Sequence, residues 1–403
     1  MAKRAPQGSG TIRERKDKKG NPTGKWEARY TTGRDVNGKQ IQRSIYGSSQ
    51  KEVLDKLQKA HAEIKGGDYV EPSKMTVKEW LDIWLKTYIG NVKQTTHRAY
   101  TDHVNGHIVP HIGNVPLQKL KAHTIQELYN TLSKSGRRLQ KGQKKEAPAG
   151  LSAKTIKNVH MVLRRALEQA HFLRYIKSNP TTSCVLPRNE KKDMQILQGV
   201  QIPQFINAIE NHRYKALFTT MLFTGIRRGE ALGLTWDNID FARRTILVGK
   251  QLQRERVKGG KLQLVPLKND KQRWLSPPDT VFSILSEHKC KQAERQLLVG
   301  QLWTNSNLVF TNDTGGGLDG DALYTAYKKM LSDNNLPSIR LHDLRHTAAT
   351  LMIQNGDDIK TIQDALGHHS AGFTLDTYGH VTDQMKQASA SRMEAYIQSI
   401  KTS

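Results

Sequence analysis

The sequence predicts a multidomain α+β protein: a small N-terminal three-stranded sheet plus helix, a helical middle domain, and a mixed, mainly α C-terminal domain with a small β-sheet. Three observations carry this. Short alternating runs separated by turn clusters open the chain, amphipathic helical stripes fill its middle, and in the remainder helical stretches bracket a few short β-rich runs. With 403 residues and 36% hydrophobic content, the chain suits several small domains with much solvated surface better than one compact core.

In residues 1–66 the candidate strands are Gly10–Arg15, Lys25–Thr31 and Lys39–Tyr46. They are separated by Lys19-Gly20-Asn21-Pro22 and Asp35-Val36-Asn37-Gly38. Asn-Gly between alternating runs marks a hairpin, because both residues tolerate the positive φ of a tight turn. A helix is expected after Ser48 and Ser49. Val53, Leu54, Leu57, Ala60 and Ile64 keep helical spacing, and Gly66-Gly67 stops it. On a face of this sheet Lys25, Arg29, Tyr30 and Arg43 are the candidate DNA contacts.

A linker from Gly66 to Ser73 leads into residues 74–190, which read as helical: Thr76–Ile89, Thr95–His107, Thr124–Ser135 and Ser152–Arg174. Val77, Trp80, Leu81, Trp84, Leu85 and Tyr88 form one stripe of the first helix, so its aromatics are expected in a core rather than against bases. Ser135–Gly150 is polar, basic and glycine-containing, hence a loop. Ser178–Gln195, with Pro180 and Pro187, reads as a second linker before the last domain, 196–403.

The net charge of +26 asks for a polyanionic partner, and most of the basic excess falls on the first two blocks. Nucleic acid is the usual partner, because each neutralised phosphate releases condensed counterions. No apolar run approaches the ~20 residues needed to span a bilayer, and the basic N-terminus lacks a signal peptide's apolar stretch. Cys184 and Cys290 lie far apart with no CxxC, which argues against a disulfide framework or a cysteine zinc site. A cytoplasmic, reduced, DNA-binding protein is expected.

Four short segments of the last block carry chemistry. In Thr224-Gly225-Ile226-Arg227-Arg228-Gly229-Glu230, an arginine sits at a helix break with a carboxylate three residues on to orient it. Leu341-His342-Asp343-Leu344-Arg345-His346 opens a helix, so His342 and Arg345 stand three apart at an N-terminus, where anions are favoured. Leu366-Gly367-His368-His369 places His368 just after a helix stop. Thr374-Leu375-Asp376-Thr377-Tyr378-Gly379-His380 is the fourth. A zinc-binding reading of His342 and His346 is disfavoured: a zincin needs Glu directly after the first histidine, and Arg345 would repel a cation.

Taken in order, these segments match TGxRxxE, HxLRH, LGH and TxxxYxH, and the chain resembles the tyrosine recombinase family. The likeness extends over nearly the whole chain to integrases of conjugative transposons and temperate phages. It implies an arm-type DNA-binding domain at 1–66, a core-binding, SAM-like domain at 74–190 and a catalytic domain at 196–403. It implies Arg227, His342, Arg345 and His368 around a scissile phosphate, with Tyr378 as nucleophile. A catalytic lysine is implied on a β-hairpin between the first two motifs. Candidate strands there are Thr245–Gln251, Lys261–Leu267 and Arg273–Leu275. Lys268 aligns best and Lys271 is next, although Asn269 and Ser276 depart from the family pattern.

That set suits strand exchange. A covalent phosphotyrosine preserves the bond energy that hydrolysis would lose. Two arginines can grip the non-bridging oxygens, such fixed donors being worth ~3–4 kcal/mol each. His342 would accept the tyrosine proton, His368 would donate to the phosphate, and Lys268 would protonate the departing 5′-oxygen. No cofactor, ATP or metal is implied. The resemblance further implies double-stranded DNA with arm-type and core-type sites as substrate, a homotetramer on DNA, an excisionase and a host DNA-bending protein. Met393, Ala395, Tyr396 and Ile400 give the C-terminal stretch, Met385–Ile400, a roughly helical stripe, expected to pack on a neighbouring protomer.

Overall fold

Three antiparallel strands and one helix form the N-terminal module of the computed structural model, which describes residues 10–34, 37–67, 69–137, 149–189, 195–255, 260–267, 271–367, 372 and 382–401. The chain divides into two compact units, Met1–Lys191 and Lys192–Ser403.

In the first unit, β1 (Thr11–Lys16), β2 (Pro22–Arg34) and β3 (Gln40–Gly47) pair in chain order. Helix α1 (Gln50–Lys65) is capped by the Ser49 hydroxyl, which accepts from the Glu52 amide at 3.2 Å. It buries Val53, Leu57 and Ala60 against Ala28 and Tyr30 of β2, while Leu54, expected in the same stripe, stays exposed. Alternation then sorts the sheet into two faces. The pairs Ala28↔Ile45 and Tyr30↔Arg43 lie on the helix side, and Arg13↔Glu27 and Arg29↔Ser44 on the open side.

The four expected DNA contacts therefore do not share one face. Tyr30 is 6% exposed and its hydroxyl lies 3.3 Å from that of Tyr69, so it belongs to the core and not to a DNA surface. Arg43 shares Tyr30's side and forms an ion pair with Glu71. Lys25 and Arg29 remain on the open face, where Arg13 joins them. The reason is the period of two: neighbours such as Arg29 and Tyr30 point to opposite sides, and α1 covers one of them.

The helical module follows with α2 (Val77–Thr87), α3 (Gln94–His103), α4 (Val109–Ile112), α5 (Ala122–Ser135) and α6 (Ala153–Phe172). Thr76 and Glu79 cap α2 reciprocally. Trp80 and Trp84 are buried, as their stripe required, and Trp80 Nε1 donates to the Ala166 carbonyl at 2.9 Å. The second expected helix runs on through a π-helical turn, Val104–Ile108. Pro110 has no N–H to continue an ordinary ladder, and the widened turn accommodates that.

The second unit is mainly helical. Its elements are α7 (Gln201–Ile209), α8 (Lys215–Thr224), α9 (Arg228–Leu232), α10 (Asp279–Val299), α11 (Gly320–Asp333), α12 (Asp343–Gln354), α13 (Ile359–Leu366) and α14 (Thr382–Lys401). Phe205, Phe218, Phe282, Tyr327 and Leu344 lie in its core. Between α9 and α10 come β4 (Ile239–Asp240), β5 (Thr245–Val248), β6 (Lys250–Arg254), β7 (Leu262–Pro266) and β8 (Arg273–Leu275). The expected strand Thr245–Gln251 breaks at Gly249. Its first part joins the sheet β4-β5-β8, and its second pairs with β7 as a separate hairpin. Along α14, Met393, Tyr396 and Ile400 are exposed. Among the described residues no helix is long and apolar enough to cross a membrane.

Candidate active site

Helix α8 is buried almost throughout and stops at Gly225, whose φ of +63° is left-handed. A Cβ at Gly225 would lie 2.4 Å from Leu366 Cδ2, so the turn needs glycine for conformation and for space. Two residues on, Arg227 precedes α9. Its amide donates to Glu230 Oε2 at 3.1 Å, and its Nη1 donates to Glu230 Oε1 at 2.8 Å. Glu230 thus caps the helix and aims the guanidinium, as its spacing suggested. The Arg227 side chain is 41% exposed and that of Glu230 only 4%.

Arg345 stands in the first turn of α12 and is 2% exposed. Its Nη1 donates to the Gly225 carbonyl at 2.7 Å and its Nη2 to the Leu366 carbonyl at 2.5 Å. Arg227 Nη2 donates to the next carbonyl, that of Gly367, at 3.0 Å. A third arginine, Arg273 of β8, donates through Nε to the Ala365 carbonyl at 2.8 Å and through Nη2 to Glu230 Oε2 at 2.6 Å. Three consecutive carbonyls at the end of α13 therefore receive three guanidiniums from three separate elements. The partial negative charge of a helix C-terminus favours cations there. Carbonyls orient these groups without cancelling their charge, and Glu230 is shared by two of them, so the cluster stays cationic.

Glu230 is held ionised. Burial raises its pKa, but hydrogen bonds and charge from Arg273 and then Arg227 outweigh this, and the net shift is downward. His342 precedes α12 at the solvent edge, its ring edge-on to that of His346 with centroids 5.2 Å apart. Loss of water around the ring, followed by the charges of His346, Arg345 and Arg227, pushes it down to about 4, so it is neutral near pH 7. His346 is lowered as well, chiefly by burial. Asp343 is buried beside it and gripped by the Arg340 guanidinium at 2.7 Å, which fixes the helix start.

Arg227, Arg345 and His342 are thus drawn from distant segments into one neighbourhood. Lys268, His368 and Tyr378 lie outside the described residues. The hairpin β6–β7 packs on the end of α9, where a Cβ at Gly233 would lie 2.6 Å from the Leu252 amide nitrogen. Lys271, the alternative lysine, is exposed. Arg273 was not singled out from the sequence. Its signal was alternation: it shares a face with Leu275, 4% exposed, while Trp274 between them is 62% exposed. Among the described residues no group of three or more His, Cys, Asp or Glu is placed to hold a metal ion.

On the open face of the N-terminal sheet, Glu27 is 5% exposed and accepts from Arg13, Arg29 and the Ser44 hydroxyl. Burial raises its pKa, yet these bonds bring it down to about 2.

Residues 195–385 match the model of the Phage integrase family, and residues 76–133 that of the Phage integrase, N-terminal SAM-like domain. A tyrosine recombinase XerC-like protein of Caldanaerobacter subterraneus subsp. tengcongensis is 28% identical over 374 residues, 88% of this chain and 92% of that protein. The ICEBs1 integrase of Bacillus subtilis is 25% identical over 376 residues, 92% of this chain and 97% of that one. The Tn1549 transposon integrase, solved in complex with a circular intermediate DNA, shares the fold with a TM-score of 0.64 at 21% identity, over 79% of this chain and 99% of that one.

Proposed function

The chain belongs to the phage integrase family of tyrosine recombinases, enzymes that cleave and rejoin DNA, and from that premise we propose that it integrates and excises a mobile element or prophage through a 3′-phosphotyrosyl intermediate at Tyr378. The observation that supports this most is the cationic cluster of Arg227, Arg273 and Arg345 at the end of α13, which Gly367 terminates one residue before His368.

In this reading Arg227 and Arg345 bind the non-bridging oxygens and offset the charge that grows in the five-coordinate transition state. Neutral His342 accepts the Tyr378 proton as the phenol attacks phosphorus. The phosphodiester then breaks on its 5′ side, Lys268 protonates the departing oxygen, and His368 donates to the phosphate. A 5′-hydroxyl of the partner duplex reverses the step, and a second round resolves the Holliday junction. Residues 1–66 engage arm-type DNA, 74–190 core-type DNA, and 196–403 carry out the chemistry. The enzyme works in the bacterial cytoplasm as a DNA-bound homotetramer in which α14 packs on a neighbour. An excisionase and a host bending protein complete the assembly.

The test is a nicked suicide duplex carrying an end of the element that encodes the chain. A covalent adduct should form, map to the peptide containing Tyr378, and vanish in Tyr378→Phe while DNA binding survives. An adduct on another side chain, or none with the wild type, overturns the assignment.

A further inference from the structure

Arg273 shares Glu230 with Arg227 and bonds the same end of α13. Glu230 offers one oxygen to Arg227 Nη1 and the other to Arg273 Nη2, the latter at 2.6 Å. Arg273 Nε holds the Ala365 carbonyl, two residues before the Gly367 carbonyl that receives Arg227 Nη2. The two arginines, the carboxylate and the last turn of α13 thus close a ring of hydrogen bonds. Gly367 makes room for it: its φ is +63°, and a Cβ there would sit 3.2 Å from Arg273 Nη1. The Arg273 side chain is 11% exposed, against 41% for Arg227. One guanidinium is therefore embedded in the protein while the other opens to solvent.

We infer that Arg273 is a positioning residue of the cleavage step, fixing Glu230 and the end of α13 so that Arg227 keeps its outward aim. The inference rests on the proposed roles of Arg227 and Tyr378. Without Arg273, Glu230 Oε2 keeps only the Arg227 amide as donor, and a buried carboxylate that has lost its charged partner there draws both arms of Arg227 onto itself. A guanidinium turned inward is lost to the phosphate, and displacements of about 1 Å at such groups cost on the order of 10²-fold. Of the two neighbours, Arg273 also does more than Arg227 to keep Glu230 ionised.

The experiment measures single-turnover adduct formation on the nicked duplex with full-length protein in saturating excess, together with duplex affinity. In Arg273→Gln the rate constant should fall roughly 10–100-fold, with affinity changed less than about 3-fold. Arg273→Lys retains the charge, but one ammonium does not reproduce the planar bridge between Glu230 and Ala365, so it should stay at least ~10-fold slow. Combined with Glu230→Gln, the double variant should be no slower than the slower single one, because both act through one group. A merely structural role would lower the final adduct yield and leave the rate constant alone. That result, a wild-type rate in Arg273→Gln, or losses that multiply in the double variant would each overturn the inference. Absence of adduct with the wild type would instead refute the function on which it stands.

Discussion

Arg345 of α12 donates to the carbonyl of Leu366 at the end of α13, at 2.5 Å. The bond joins the HxLRH and LGH segments, and the second arm of the same guanidinium reaches Gly225 of the TGxRxxE segment. One buried side chain thus sets the relative positions of three motifs, and four expectations follow from this site and from the N-terminal sheet.

Arg345→Lys tests the fork. A single ammonium does not make both planar contacts. Adduct formation should slow by roughly 10²–10³-fold, and the melting temperature should fall, since Arg345 is only 2% exposed. Single-turnover cleavage and a thermal melt read the two effects; a rate within twofold of wild type would contradict the role.

Gly225→Ala and Gly24→Ala separate packing from backbone strain. Both glycines have positive φ, +63° and +67°, but a methyl at Gly24 would have nothing within 4 Å, whereas one at Gly225 would meet Leu366 Cδ2 at 2.4 Å. The Gly225 change should cost roughly 2–4 kcal/mol and the Gly24 change about 1 kcal/mol by denaturant titration. Equal losses would mean that the Leu366 contact is unimportant.

His342 should titrate at about 4 in the DNA-free protein, below its ordinary 6.5. The unfolded chain then takes up a proton before the folded one does. Stability should accordingly decline as the pH falls from about 6.5 toward about 4, with no contribution from this group above that window. NMR titration of the ring gives the midpoint, and His342→Gln should flatten that part of the stability profile. A midpoint near 6.5 would mean that the surroundings do not disfavour the charged ring as described.

Glu27 behaves oppositely. Its folded pKa of about 2 lies below the ordinary 4.5, so its stabilising effect is complete above about pH 4.5 and is lost as the pH drops through about 2. Glu27→Gln should cost about 2 kcal/mol at pH 7, discounted because Arg13 and Arg29 are half in water, and close to nothing near pH 2. The same change frees the two arginines that Glu27 holds on the open face. Affinity for arm-type DNA should then fall in Glu27→Gln and in Arg29→Ala, but not in Tyr30→Phe, whose ring faces α1. Loss of affinity in Tyr30→Phe alone would reverse the assignment of faces.

The sequence by itself determined the order of sheet, helical and mixed parts, most helix starts and stops, and three of the segments that meet. Those signals are local: Ser49 and Thr76 as caps, Gly225 and Gly367 as left-handed stops, the Trp80–Trp84 stripe, and Glu230 three residues after Arg227. Strand alternation was equally legible and already set Arg29 against Tyr30, but which side was covered depended on where α1 lay. The tertiary structure alone decided the break of the expected strand at Gly249, the pairing of Arg43 with Glu71, and the place of Arg273. Arg273 finds its partners 43 and 92 residues away, on a helix start and a helix end. No local pattern encodes such a meeting, because long-range contacts arise only when the packing of whole elements brings their ends to one point.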